Sequence, residues 1–131
     1  MKVLALDFGR ARTGVAVSDP TGTVARPVGV VERAATAAGL NELSRLVAEH
    51  VAEAIVVGMP LTMRGDRGEQ AEETERFVEQ LRARLDIPVV TFDERFTTDL
   101  AQQTPSSSDE DARAAAHLLS SYLAWSSGAP A

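Results

Sequence analysis

Hydrophobic positions along the chain change period once. Up to about residue 31 they form short runs of strand length, and beyond it helical stripes alternate with such runs. Val3-Leu4-Ala5-Leu6 and Gly14-Val15-Ala16-Val17 are the first two runs. The polar stretch between them, with Gly9 and Gly14, carries a hairpin signal. Asp19-Pro20-Thr21-Gly22 is a strong turn, and Thr23 to Val31 reads as a third strand. Pro27 has no N–H for a ladder and assigns that strand to an edge. Three short strands joined by tight turns predict an antiparallel meander.

Helical spacing follows from about Ala38 to Val51, where Leu40, Leu43, Leu46 and Val47 line one side. Ala54 to Gly58 is a continuous apolar run, as in a strand covered on both faces. A loop from Thr62 to Gly68 follows, and its Arg64-Gly65-Asp66 tripeptide reads as a chance match to an adhesion motif. Glu69 to Leu85 is the clearest helix, with Thr74, Phe77, Val78, Leu81 and Leu85 as its stripe and a solvated charged face. Asp86-Ile87-Pro88 stops it, and Val89-Val90-Thr91-Phe92 reads as another buried strand. After an irregular stretch with a loop at Thr104 to Ser108, a last helix runs from near Asp109 to about Trp125. Its core positions are Ala112, Ala115, Ala116, Leu119, Tyr122 and Leu123, and residues 126–131 read as a frayed tail. The expected architecture is α/β: a mixed five-stranded sheet, meander first and then alternating helix and strand, covered by helices in one domain over residues 1–131.

Composition narrows the function without naming it. The 131 residues include no cysteine, which excludes disulfides and thiolate metal sites and fits the reducing cytoplasm. No apolar run reaches membrane-spanning length, and no secretory signal is readable, so no membrane partner is expected. A net charge of −6 argues against indiscriminate polyanion binding. The charge is uneven, though: residues 1–35 carry a net +2, while residues 36–92 and 93–131 each carry −4. Twelve of the thirteen basic residues are arginine, the side chain that grips phosphate with a bidentate fork.

Candidate chemistry lies in carboxylates at strand ends. Asp7 ends the first strand, Asp93 and Glu94 end the last, and Asp111 opens the last helix. In sheets with helical crossovers, functional groups gather at the carboxyl ends of central strands. Alternation along a strand sends Asp93 and Glu94 to opposite faces, so only one of them can share a site with Asp7. Each acid also has a plain structural role open to it. Asp7 could hydrogen-bond the turn behind it, Ser108-x-x-Asp111 has the form of a capping box, and Asp93 could pair with Arg95. His50 and His117 are isolated, and no Ser/His/Asp arrangement or P-loop signature is readable. Carboxylates meeting in one cleft repel by about 4 kcal/mol per pair at about 4 Å and an effective dielectric near 20. Such a cluster needs protons or a divalent cation, and an all-oxygen donor set favours Mg²⁺ or Mn²⁺ over zinc.

Four segments together resemble the YqgF/RuvX family, the Holliday-junction-resolvase-like proteins regarded as nucleases of the 16S ribosomal RNA precursor. They are Leu6-Asp7-Phe8-Gly9 through Arg12-Thr13-Gly14-Val15-Ala16-Val17-Ser18-Asp19, Val56 to Met63 with Gly65, Phe92-Asp93-Glu94-Arg95-Phe96-Thr97-Thr98, and Asp111 heading Ala112 to Tyr122. The resemblance implies an RNase H-like fold and a metal-dependent endonuclease that cuts phosphodiester bonds in precursor rRNA or branched DNA. It implies Asp7, Glu94 and Asp111 as catalytic metal carboxylates for Mg²⁺ or Mn²⁺. Arg10, Arg12, Arg95 and Thr97 are then expected beside the substrate backbone. The oligomeric state, monomer or homodimer, is left open by it.

One departure from the family pattern motivates a second reading. The segment between Asp93-Glu94-Arg95 and Asp111 is short and has no basic residue from Phe96 to Ala112, where the family often carries lysines. A non-catalytic nucleic-acid- or ribosome-associated module of the same fold is the competing expectation. A third is a sugar-kinase or actin-like ATPase, whose phosphate turn the pattern Asp7-x-Gly9-x-x-x-x-Gly14 also resembles, though such proteins need two such domains.

Overall fold

The computed structural model describes residues 1–60, 68–94 and 108–127, with the backbone alone at 108 and 109. The strands are β1 (Val3–Asp7), β2 (Arg12–Ser18), β3 (Ala25–Glu32), β4 (Ala54–Met59) and β5 (Val89–Asp93). The helices are α1 (Ala37–His50), α2 (Glu69–Arg84) and α3 (Ser108–Ser126). The strands form one sheet in the order β3-β2-β1-β4-β5. β1 pairs antiparallel with β2 and β2 with β3, while β1, β4 and β5 run parallel. The carboxyl ends of these three parallel strands therefore lie side by side.

Strand alternation divides the core into two layers. Leu4, Leu6, Val15, Val17, Ile55 and Val57 point to one face, where Leu40, Leu43 and Leu46 of α1 and Phe77, Val78 and Leu81 of α2 cover them. Val3, Ala5, Ala16, Val56 and Phe92 point to the other, covered by Ala115, Leu118, Leu119 and Leu123 of α3. Truncating a fully buried leucine such as Leu4 or Leu119 to alanine costs about 2–5 kcal/mol. Among the described residues no helix is long and apolar enough to cross a membrane.

Four local departures from the sequence reading are seen. β3 begins at Ala25 rather than Thr23, because the amides of Thr23 and Val24 donate to Asp19 Oδ1 at 2.7 and 2.9 Å instead of entering the ladder. Hydrogen bonds from the Thr21 hydroxyl and then these amides hold the Asp19 carboxyl down at about 2. β5 is an edge strand rather than a buried one, and Val90 and Thr91 are exposed. Leu118, absent from the predicted stripe, is 2% exposed, while Ala116 and Tyr122 are only partly buried. Pro27 does lie on an edge strand, beside the irregularity where Val15 faces Gly29 and Ala16 faces Pro27. α3 extends through Ser126, one residue into the segment read as frayed.

The ends of α1 follow from local chemistry. Thr36 caps the start, its hydroxyl accepting from the Gly39 amide at 3.1 Å. Val51 closes the end with φ 53°, a left-handed conformation in which a β-branched residue is strained.

Candidate active site

The site forms where β1, β4 and β5 end. Asp7 is the last residue of β1, and Glu94 directly follows β5, with β4 between the two strands. Glu94 bridges this gap because β4 presents a glycine beneath it. A Cβ on Gly58 would fall 2.6 Å from Glu94 Oε1 and 2.9 Å from its Cγ, so the glutamate side chain lies across β4 at that point. Its carboxyl hydrogen-bonds the Asp7 carboxyl. Leu118 of α3 packs over the same spot, with Cδ2 3.1 Å from where that Cβ would be.

Two carboxyls can hydrogen-bond each other only by sharing a proton. Burial, then the charge of Asp7, its hydrogen bond and the charge of Asp93 raise the Glu94 carboxyl to about 8. The Asp7 carboxyl is raised too, chiefly by burial and also by the charge of Asp111, against the lowering effect of its bond to Glu94. Asp93, one residue before Glu94 and paired in register with Met59, acts here through its charge.

Asp111 reaches this neighbourhood through another glycine. Gly14 of β2 faces Asp7 across the ladder, and a Cβ on it would lie 1.9 Å from the Asp111 carbonyl oxygen. The first turn of α3 is thus seated directly on the β2 backbone, next to Asp7. Its carboxylate forms an ion pair with Arg12, Nε to Oδ2 at 3.0 Å. Among the described residues no three carboxylate or histidine side chains meet at metal-ligating distance. Asp7 and Glu94 are joined, and Asp111 stands beside them against Arg12.

The cleft in front of Glu94 has a volume of about 720 Å³ and lies between the turn after β1 and the start of α2. Gly9 makes that turn tight: a Cβ there would approach the Arg12 carbonyl oxygen to 2.5 Å. Phe8 anchors it, stacked on Phe77 of α2 at 4.3 Å between ring centroids. Arg10 projects from the turn to the cleft rim and forks onto Glu73 of α2, with Nε 3.0 and 2.9 Å from the two carboxylate oxygens.

Of the residues singled out from the sequence, Asp7 and Glu94 are brought together, Asp111 and Arg12 adjoin them, and Arg10 stands at the cleft rim. Arg95, Thr97, Arg64, Asp66 and the Ser108 capping side chain lie outside the described residues. Two participants escaped sequence reasoning. Gly58 had a signal, a glycine ending a buried strand run where something else must approach closely. Glu73 had none, being one of several acids on the charged face of α2.

Comparison with known proteins gives the family and the fold. Residues 1–125 match the family described as "RuvX: Holliday junction resolvase". A Desulforamulus reducens protein named "Putative pre-16S rRNA nuclease" is 36% identical over 132 aligned residues, covering 94% of this chain and 96% of the relative. A Roseiflexus protein of the same name is 42% identical over 102 residues, covering 78% of this chain and 72% of its own. In fold, the chain resembles Thermus thermophilus RuvC, solved in complex with a Holliday junction substrate. The TM-score is 0.62 at 16% identity, over 98% of this chain and 96% of that one. The sheet and its helices thus have the RNase H-like fold expected from the sequence. With nearly its whole length matched, the chain belongs to the RuvX family of Holliday-junction-resolvase-like proteins.

Proposed function

We propose that this chain is a divalent-metal-dependent endonuclease that hydrolyses phosphodiester bonds in structured nucleic acid, and that its substrate is the 16S ribosomal RNA precursor. The observation that carries the reading is the Asp7–Glu94 pair, two largely buried carboxyls from separate strands drawn together over Gly58 and both raised above the ordinary carboxylate range. Two neighbouring carboxyls raised by burial and by each other mark a place where negative charge is concentrated beyond what the site tolerates by itself. An all-oxygen donor set of this kind fits Mg²⁺ or Mn²⁺. Asp7 and Glu94 would hold the cation, and Asp111 would join them from the first turn of α3. A cation bound there supplies an activated water and stabilises the departing oxygen of the phosphodiester.

The chain's other residues then have defined tasks. Arg12 orients the Asp111 carboxylate and lies close enough to the carboxylates to meet a phosphate of the scissile strand. Arg10 supplies positive charge at the rim of the cleft. Arg95 and Thr97 follow Glu94 in sequence and would contact the backbone beyond it. The names of the relatives support RNA as the substrate, and the RuvC complex supports a branched duplex as the second to try. Precursor rRNA as substrate implies a cytoplasmic protein.

The test is cleavage of a 16S precursor transcript and of a four-way DNA junction in Mg²⁺ or Mn²⁺, with Asp7→Asn as control. The expected result is metal-dependent product from the precursor that disappears in the variant. Cleavage at the wild-type rate in Asp7→Asn would remove the assignment. Salt-sensitive binding without turnover in either metal would favour the non-catalytic module.

A further inference from the structure

A guanidinium from a different part of the fold closes as a fork on Glu73 of α2. Arg10 donates to both of its oxygens from the turn after β1, 63 residues away in sequence. Arg76 adds its positive charge to the same carboxylate from one turn further along α2. The hydrogen bonds from Arg10 come first, and the charges of Arg10 and Arg76 follow, in holding the Glu73 carboxyl below its ordinary range. Glu73 is thus an anion held by a fork from Arg10, with the charge of Arg76 acting on it from the same depression. A phosphodiester would use the same donors in the same way.

The position of the pair gives this likeness a consequence. Arg10 and Glu73 line the cleft that contains Glu94, and they also line a second depression of about 460 Å³ with Phe8, Arg76 and Gln80. The pair is therefore the shared wall between the two. Opened, it would join them into one path from Glu94 past Arg10 to Arg76. Arg10 is largely exposed, and its side chain can swing without disturbing the core. An exposed ion pair of this kind shifts an equilibrium by only about a factor of five or less, so a phosphate can displace it.

We propose that Arg10 and Arg76 form a phosphodiester-binding subsite beside the candidate active site, and that Glu73 occupies it as a built-in competitor until nucleic acid displaces it. The inference rests on the nuclease reading and deepens it. It assigns a binding role to Arg76, and it makes Glu73 a residue that weakens association. A strand of nucleic acid must bring enough other contacts to open the pair, so short or misplaced ligands are disfavoured.

The experiment uses the full chain with Asp7→Asn, so that the probe is not cut. Affinity for a fluorescein-labelled RNA hairpin with a single-stranded tail is measured by anisotropy across a salt series. E73Q should tighten binding about two- to fivefold and steepen the log-log salt slope by about 0.7–0.9, as for one additional phosphate contact. The gain should vanish in E73Q/R10Q and shrink in E73Q/R76Q. E79Q, the same charge change at a 76% exposed site further along α2, should give a smaller gain. An E73Q affinity and slope equal to wild type, a gain that survives both arginine changes, or an equal gain in E79Q would each overturn the subsite. Binding that is tight but indifferent to all these changes ends this inference and leaves the nuclease reading standing. A chain that binds neither this RNA nor a four-way junction at low salt ends both.

Discussion

The Glu94 carboxyl provides a test of the site that needs no substrate. Burial, and then the neighbouring Asp7, push it from an ordinary 4.5 up to about 8 in the folded protein. Between those values the folded chain keeps a proton that the unfolded chain has released. Stability therefore falls as pH rises through this window and levels off above 8. The gap, at about 1.4 kcal/mol per pH unit, sets a ceiling of about 5 kcal/mol. Solvent at the partly exposed carboxyl and the proton's being shared with Asp7 reduce the expected loss to about 2–3 kcal/mol. Asp7, also raised, acts in the same direction. Glu94→Gln cannot ionise, and its amide can still donate to Asp7. At pH 8 without metal the variant should exceed the wild type by about 2 kcal/mol, and at pH 5 the two should be equal. Mg²⁺ at about a hundred times its Kd should return about 2.7 kcal/mol to the wild type at pH 8, and little to the variant. Urea denaturation followed by circular dichroism, at both pH values and with and without Mg²⁺, measures all of this. Equal metal-free stabilities at pH 8, or equal stabilisation of both proteins by Mg²⁺, would refute the argument.

Other outcomes follow from the close approaches in the fold. Gly58→Ala should lower stability by about 1–3 kcal/mol in the same denaturation assay, because its Cβ meets the Glu94 side chain and Leu118; cleavage should fall with it as Glu94 is pushed from Asp7. Gly14→Ala should be worse, at least about 3 kcal/mol, since backbone rather than a side chain end blocks its Cβ; an unchanged midpoint would contradict the seating of α3 on β2. Val51→Gly should stabilise the protein by about 1 kcal/mol, because it frees a β-branched residue from φ 53° at an exposed helix end. A loss of stability in Val51→Gly would count against that conformation.

The sequence carried what depends on period and on strand ends. Alternation along β5 left room for only one of Asp93 and Glu94 beside Asp7, the family resemblance pointed to Glu94, and Glu94 is the one that interacts with Asp7. The apolar runs located β1, β2 and β4, because burial on both faces leaves little room for polar residues, and turn signals bounded the edge strands β3 and β5. What stayed hidden depends on which strands become neighbours. β5 reads like β4 in composition, yet it is an edge strand, since nothing in Val89-Val90-Thr91-Phe92 specifies a partner on its far side. The role of Gly58 appears only once β4 is known to lie between β1 and β5. The Arg10–Glu73 fork joins a turn to a helix face, and neither segment advertises the other. The carry-over of Arg95 and Thr97 from family resemblance concerns residues outside those described.

The sheet order has a further consequence for how such a site comes into being during synthesis. Asp7 lies on the first strand in chain order and Glu94 follows the last, and they meet only after β4 has inserted between β1 and β5. A chain that has made only its meander holds Asp7 without its partner. Pairing of distant parallel strands is the slow part of assembling such a sheet. A nascent or partly unfolded copy therefore has no paired carboxylates. The two carboxyls can meet only once β1, β4 and β5 lie side by side.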